Sequence, residues 1–145
     1  MILVDTGPIV ALCDARDAKH RLSVTQLTAL PREGLRACDA VLTEACFHLP
    51  HPSQRRRLQG LIRELDIQPV GLGTEASAWD DVFDWLVKYG DHQPDWADAW
   101  LAVLSGSDRR ALLWTFDREF RTTWRRLDGS AIPVAFPGPA RRQGL

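Results

Sequence analysis

Short apolar runs alternate with helical segments along this sequence, which predicts an α/β fold on a mainly parallel sheet of about five strands. Runs such as Ile2–Val4 are too brief for helices and unbroken by polar residues, the pattern of strands buried on both faces. Between them lie stretches with helical apolar spacing, and Gly or Pro stands at most junctions. The 145 residues are 45% hydrophobic and 26% charged, the balance of one globular domain that folds without disulfide or structural metal.

The first strand, residues 2–4, ends at Asp5-Thr6-Gly7-Pro8, where Thr6 is placed to cap a helix with Pro8 in its first turn. Residues 20–30 predict a second helix, stopped by Pro31, and residues 35–38 a brief strand. A helix over 41–49 is broken by Pro50-His51-Pro52, another covers 53–65, and 67–72 reads as a strand. In the helix over 74–89, Trp79, Val82, Phe83 and Leu86 fall at i, i+3, i+4 and i+7, a core-facing stripe. Trp85 lies off that stripe and is free for a second copy, so a homodimer is expected. Pro94 opens a helix over 95–104, residues 111–115 form a strand, 117–126 a helix and 132–136 a last strand. The domain is thus expected over 1–136, with 137–145 a loose tail.

Charge narrows the function classes. The formal net charge is −1, from 18 basic and 19 acidic residues, which excludes a generally cationic nucleic-acid binder but leaves room for local patches. Arg55, Arg56 and Arg57 open one helix, and Arg118, Arg121 and Arg125 share a face of the last. Arginine forks suit phosphate. Cys13, Cys38 and Cys46 are sparse and form no CxxC pair, the pattern of reduced thiols. No apolar run approaches the ~20 residues of a membrane span. The opening segment lacks a basic region before its apolar run, so the expected compartment is the cytoplasm.

Four places in the chain carry acids with a chemical rationale. Asp5 ends the first strand, where parallel sheets gather ligands. Glu44 interrupts the apolar stretch Val41-Leu42-Thr43-Glu44-Ala45-Cys46-Phe47. Asp95 and Asp98, three apart, share one face of an otherwise apolar helix. Asp117 follows the fourth strand. Each alone is explained as a cap or a solvated residue. Together, at the ends of parallel strands, they make a hard-cation site: all-oxygen ligands suit Mg²⁺ or Mn²⁺ and disfavour zinc. Without a cation, like charges at such spacing repel by several kcal/mol, so the site implies a metal or raised carboxyl pKa values.

These residues resemble those of the PIN-domain ribonucleases, specifically the VapC-type toxins of bacterial toxin–antitoxin pairs. The matching pieces are Leu3-Val4-Asp5-Thr6-Gly7-Pro8, Thr43-Glu44, Asp95-Trp96-Ala97-Asp98-Ala99 and Thr115-Phe116-Asp117-Arg118-Glu119-Phe120. The resemblance covers nearly the whole chain. It implies a three-layer α/β/α domain and Mg²⁺- or Mn²⁺-dependent endonucleolytic cleavage of RNA, leaving a 5′-phosphate and a 3′-hydroxyl. It also implies a catalytic, metal-binding quartet of Asp5, Glu44, Asp98 and Asp117, with Asp95 an accessory ligand. Thr115 matches the hydroxyl residue that orients a carboxylate or water, and Thr6 is a weaker match for that role. A cognate antitoxin protein is the implied partner, and Val24, Leu27 and Leu30 either offer it an apolar groove or belong to the core. Arg118, Arg121 and Arg55 are the residues expected to hold RNA. Trp96 is bulkier than the residue related sequences carry, which reshapes the groove wall.

A rival reading is a non-catalytic RNA- or protein-binding module on the same fold, against which the intact carboxylates argue. A receiver domain fails because Asp5 has no neighbouring acid and no Lys follows the late strand. A dinucleotide site fails because the chain has no GxGxxG.

Overall fold

The structure, a computed structural model, describes residues 1–31 and 34–138. Residues 139–145, most of the expected tail, lie outside them. Four strands form one sheet in the order β3-β2-β1-β4, with every neighbouring pair parallel. They are β1 (Ile2–Val4), β2 (Leu35–Ala37), β3 (Gln68–Pro69) and β4 (Leu112–Trp114). All three residues of β1 are buried although successive side chains point to opposite faces, so helices cover both sides of the sheet. This is the α/β architecture the sequence predicts.

The helices are α1 (Thr6–Cys13), α2 (His20–Ala29), α3 (Asp39–His48), α4 (Pro52–Glu64), α5 (Ser77–Lys88), α6 (Trp96–Ser107) and α7 (Glu119–Thr122), with a 3-10 turn at Gly90–His92. The central α6 is apolar nearly all round, with Ala97, Ala99, Leu101, Ala102, Val103 and Leu104 buried. No helix among the described residues is long and apolar enough to cross a membrane.

Several expectations need correction. The fifth strand reduces to one parallel bridge, Leu113 to Val134. The Leu113 amide donates to the Pro133 carbonyl at 2.8 Å and the Ala135 amide to the Leu113 carbonyl at 2.8 Å. Pro133 has no N–H to extend this ladder. The last helix spans four residues rather than ten because Arg125 bridges Ala131 and the Arg126 amide donates to Ser130. Helix α1 is capped not by Thr6 but by Asp5, whose carboxylate accepts the Thr6 amide at 2.7 Å.

The face of α5 is also turned from the expected one. Trp85 is fully buried, while Trp79 and Phe83 are 56% and 55% exposed. Trp85 donates its indole N–H to the Arg125 carbonyl at 2.7 Å and packs against Tyr89 and Trp124, with ring centroids 4.6 and 5.3 Å away. It is core and offers nothing to a second copy. Val82 and Leu86 belong to both possible stripes, so spacing alone does not choose between them. A carbonyl for the indole nitrogen does.

Candidate functional site

Strand register assembles the first part of the site. Val4 pairs with Trp114 across β1 and β4, and the Asp5 amide continues the ladder to the Trp114 carbonyl at 2.9 Å. Asp5 and Thr115 therefore leave the sheet side by side, although 110 residues separate them. The Thr115 hydroxyl donates to Asp5 Oδ2 at 2.6 Å and accepts the Asp117 amide at 2.9 Å. Asp117 Oδ1 in turn accepts the Glu119 amide at 2.9 Å, which fixes the turn into α7. One hydroxyl thus ties the Asp5 carboxylate to the Asp117 backbone.

Helices supply the remaining acids. Asp95 caps α6 reciprocally with Asp98. Asp95 Oδ1 accepts the Asp98 amide at 2.8 Å, and Asp98 Oδ2 accepts the Asp95 amide at 3.1 Å. Helices α1 and α6 both pack against α3, which brings Glu44 towards the same end of the sheet. Glu44 lies 3.9 Å from His48 one turn along α3.

The carboxylates feel one another. Burial, reinforced by Glu44 and Asp117, pushes Asp5 up from its usual 3.8 to about 6, despite the hydrogen bonds from Thr115 and Thr6 that oppose the rise. Burial and then the Asp95 charge, with Asp5 and Asp117 adding, push Asp98 up to about 8. Burial and then Asp95 also raise Glu44, while His48 and the Thr6 hydroxyl pull it down. Asp5, Glu44, Asp95, Asp98 and Asp117 are thus brought within electrostatic reach of one another. Thr6 Oγ1 is buried beside them without a well-formed hydrogen bond.

The donor set fits a hard divalent cation: it is all oxygen, and among the described residues Asp98 Oδ1 and Asp117 Oδ2 accept no hydrogen bond. The carboxylates are not gathered into a cage, however. Among the described residues no three acidic, His or Cys side chains converge closely enough to hold an ion. Asp5, Asp95, Asp98 and Asp117 each accept a hydrogen bond from a donor close by.

The PIN-domain family profile matches residues 2–124. The chain belongs to the PIN-domain family. The fold has a solved counterpart in the crystal structure of Mycobacterium tuberculosis VapC20, described as a sarcin-ricin loop cleaving toxin. The TM-score is 0.67 at 21% sequence identity, over 83% of this chain and 93% of that one. No curated protein matches the sequence.

The basic residues of this PIN domain divide. Arg55 is tied to the end of α3, donating to the Leu49 and Cys46 carbonyls at 3.0 Å each. Arg121 bonds the Pro137 carbonyl. Both are engaged in holding the fold. Arg118 is exposed beside Asp117 and its guanidinium makes no ion pair among the described residues. Sequence reasoning missed Lys19, whose ammonium sits 4.9 Å from the Phe116 ring and lines a hollow of about 280 Å³ with Thr6 and Glu44. No local pattern marks Lys19; the turn before α2 carries it there. On α2, Val24 is exposed, and Leu27 and Leu30 are half-buried against the core.

Proposed function

We propose that this chain is a divalent-metal-dependent endoribonuclease, a VapC-type toxin restrained by a cognate antitoxin in the cytoplasm. The observation that carries the reading is that Asp5, Glu44, Asp98 and Asp117, from four separate segments, lie within electrostatic reach of one another, with Asp5 and Asp98 raised to about 6 and 8. Membership of the PIN-domain family and the likeness to VapC20 support it. Such a charge cluster costs stability and gains a reason only from a cation or a reacting group.

Asp5, Glu44, Asp98 and Asp117 would hold Mg²⁺ or Mn²⁺, with Asp95 as an accessory ligand. A bound ion of this kind supplies an acidified water and neutralises charge on a phosphodiester. Thr115 orients the Asp5 carboxylate and the Glu119 amide that of Asp117, so neither has to be ordered during the reaction. Asp98 must lose its proton to ligate and can do so through Oδ1 while Oδ2 keeps its capping bond to the Asp95 amide. Thr6 Oγ1 is left to bond a water or Glu44. Arg118 contributes a phosphate contact from the rim, with Lys19 nearby.

The purified chain should cut RNA with Mn²⁺ or Mg²⁺, leaving 5′-phosphate ends, and chelation should stop it. Asp98→Asn should fold as the parent does by circular dichroism and lose cleavage. Full activity in that variant sinks the proposal. A second reading, a non-catalytic binding module, draws on the loosely gathered carboxylates, and RNA binding without cleavage under any divalent ion would favour it.

A further inference from the structure

Beside the carboxylates runs a groove of about 810 Å³, between α3, α6 and the chain that follows β3. Its walls carry Phe47, Trp79, Trp96 and Trp100. Phe47 is 80% exposed and Trp79 56%, an unusual amount of aromatic surface to leave in water. Trp96 is held in place, 5.1 Å from Phe83 and 6.3 Å from Trp100 by ring centroid. The catalytic proposal makes no use of these rings.

We infer that this groove seats one unpaired nucleobase of the RNA strand whose phosphate lies at the carboxylates, an inference that rests on the ribonuclease reading. The groove shares Glu44 and Asp95 with the acidic cluster, so an occupant of one is continuous with an occupant of the other. Its volume lies in the range of ligand clefts and leaves ample room for a base with its sugar. Continuity with the acidic cluster favours the RNA strand, and the wall's carboxylates disfavour an apolar protein helix. Asp39, Glu44 and Asp95 on the groove wall would be desolvated and unpaired beneath such a helix. A base stacks its face on the indoles and donates its exocyclic amine to a carboxylate. Bases in a duplex have neither face free, so the selected substrate is a loop or single strand.

The test uses the full-length Asp98→Asn chain, which does not cut, and follows tryptophan fluorescence as a single-stranded RNA oligonucleotide is added. The single strand should quench the signal, and the same strand annealed to its complement should bind far more weakly. Phe47→Ala and Trp79→Ala, both on exposed side chains, should each weaken binding roughly 5- to 150-fold. Trp79→Phe should restore most of the loss. An oligonucleotide series with single abasic positions should contain one position that costs the parent a similar factor and the Ala variants little. Equal binding of duplex and single strand, or Ala variants that bind as the parent does, overturns the inference. So does a change of oligomeric mass in those variants without a change in RNA binding, which makes the patch an interface between copies. Failure of the ribonuclease reading shows separately, as wild-type chain that binds RNA with quenching and never cleaves it.

Discussion

Replacing Asp5 by Asn should reverse sign in its effect on stability as pH rises. In the metal-free chain the Asp5 carboxyl is raised from 3.8 to about 6, which corresponds to about 3 kcal/mol against the ionised form. Its folded value lies above its unfolded one, so between about pH 4 and 6 the folded chain binds more protons and stability falls with rising pH. Above the folded value the whole loss is present. Asn has no such loss, but its single acceptor oxygen cannot serve both the Thr6 amide and the Thr115 hydroxyl, at about 1 kcal/mol independent of pH. The variant should therefore be the less stable chain by about half a kcal/mol at pH 4 and the more stable by about 2 kcal/mol at pH 7.5. At about 2–4 °C per kcal/mol, the melting-temperature gap swings by roughly 5–10 °C. Melts followed by circular dichroism in chelator, at several pH values, measure it. A gap that stays constant with pH would refute the electrostatic argument.

Other perturbations separate the roles of individual residues. Thr115→Val should lower cleavage by roughly 10- to 100-fold and the melting temperature by only a few degrees, because it frees the Asp5 carboxylate and the Asp117 amide from their shared hydroxyl, and Thr115→Ser should recover most activity. Trp85→Ala should cost about 3–5 kcal/mol in urea unfolding and Trp79→Ala less than about 0.5, and the reverse order would contradict the orientation of α5. Arg118→Ala should weaken RNA binding and flatten the log–log salt dependence by about 0.7, the share of one phosphate contact on a single strand. An unchanged slope would remove Arg118 from the interface.

Much of the fold is readable from local pattern. The Ile2–Val4 run followed by Asp5-Thr6-Gly7-Pro8 marks a buried strand, a turn and a helix start, and all three form. Asp98 stands out because a carboxylate three residues into an apolar helix has little local justification, and Asp95 explains its cap but not its burial. What local pattern cannot supply is pairing across distance. The Arg125 carbonyl that draws Trp85 inward lies 40 residues away. The engagement of Arg55 by the Leu49 and Cys46 carbonyls depends on how α4 meets α3. Lys19 acquires a place beside Phe116 only when α2 docks, and the Thr115–Asp5 bond exists only because β1 and β4 are neighbours.

The central claim, that the scattered acids act as one cation site, is tested most directly by titrating Mn²⁺ into the metal-stripped chain by calorimetry in two buffers of different ionisation heat near pH 6.5. The account predicts binding accompanied by net proton release, because Asp5 and Asp98 must ionise to ligate, and loss of that binding in both Asp5→Asn and Asp98→Asn. Absence of Mn²⁺ binding, or binding that releases no protons and survives both substitutions, would contradict it.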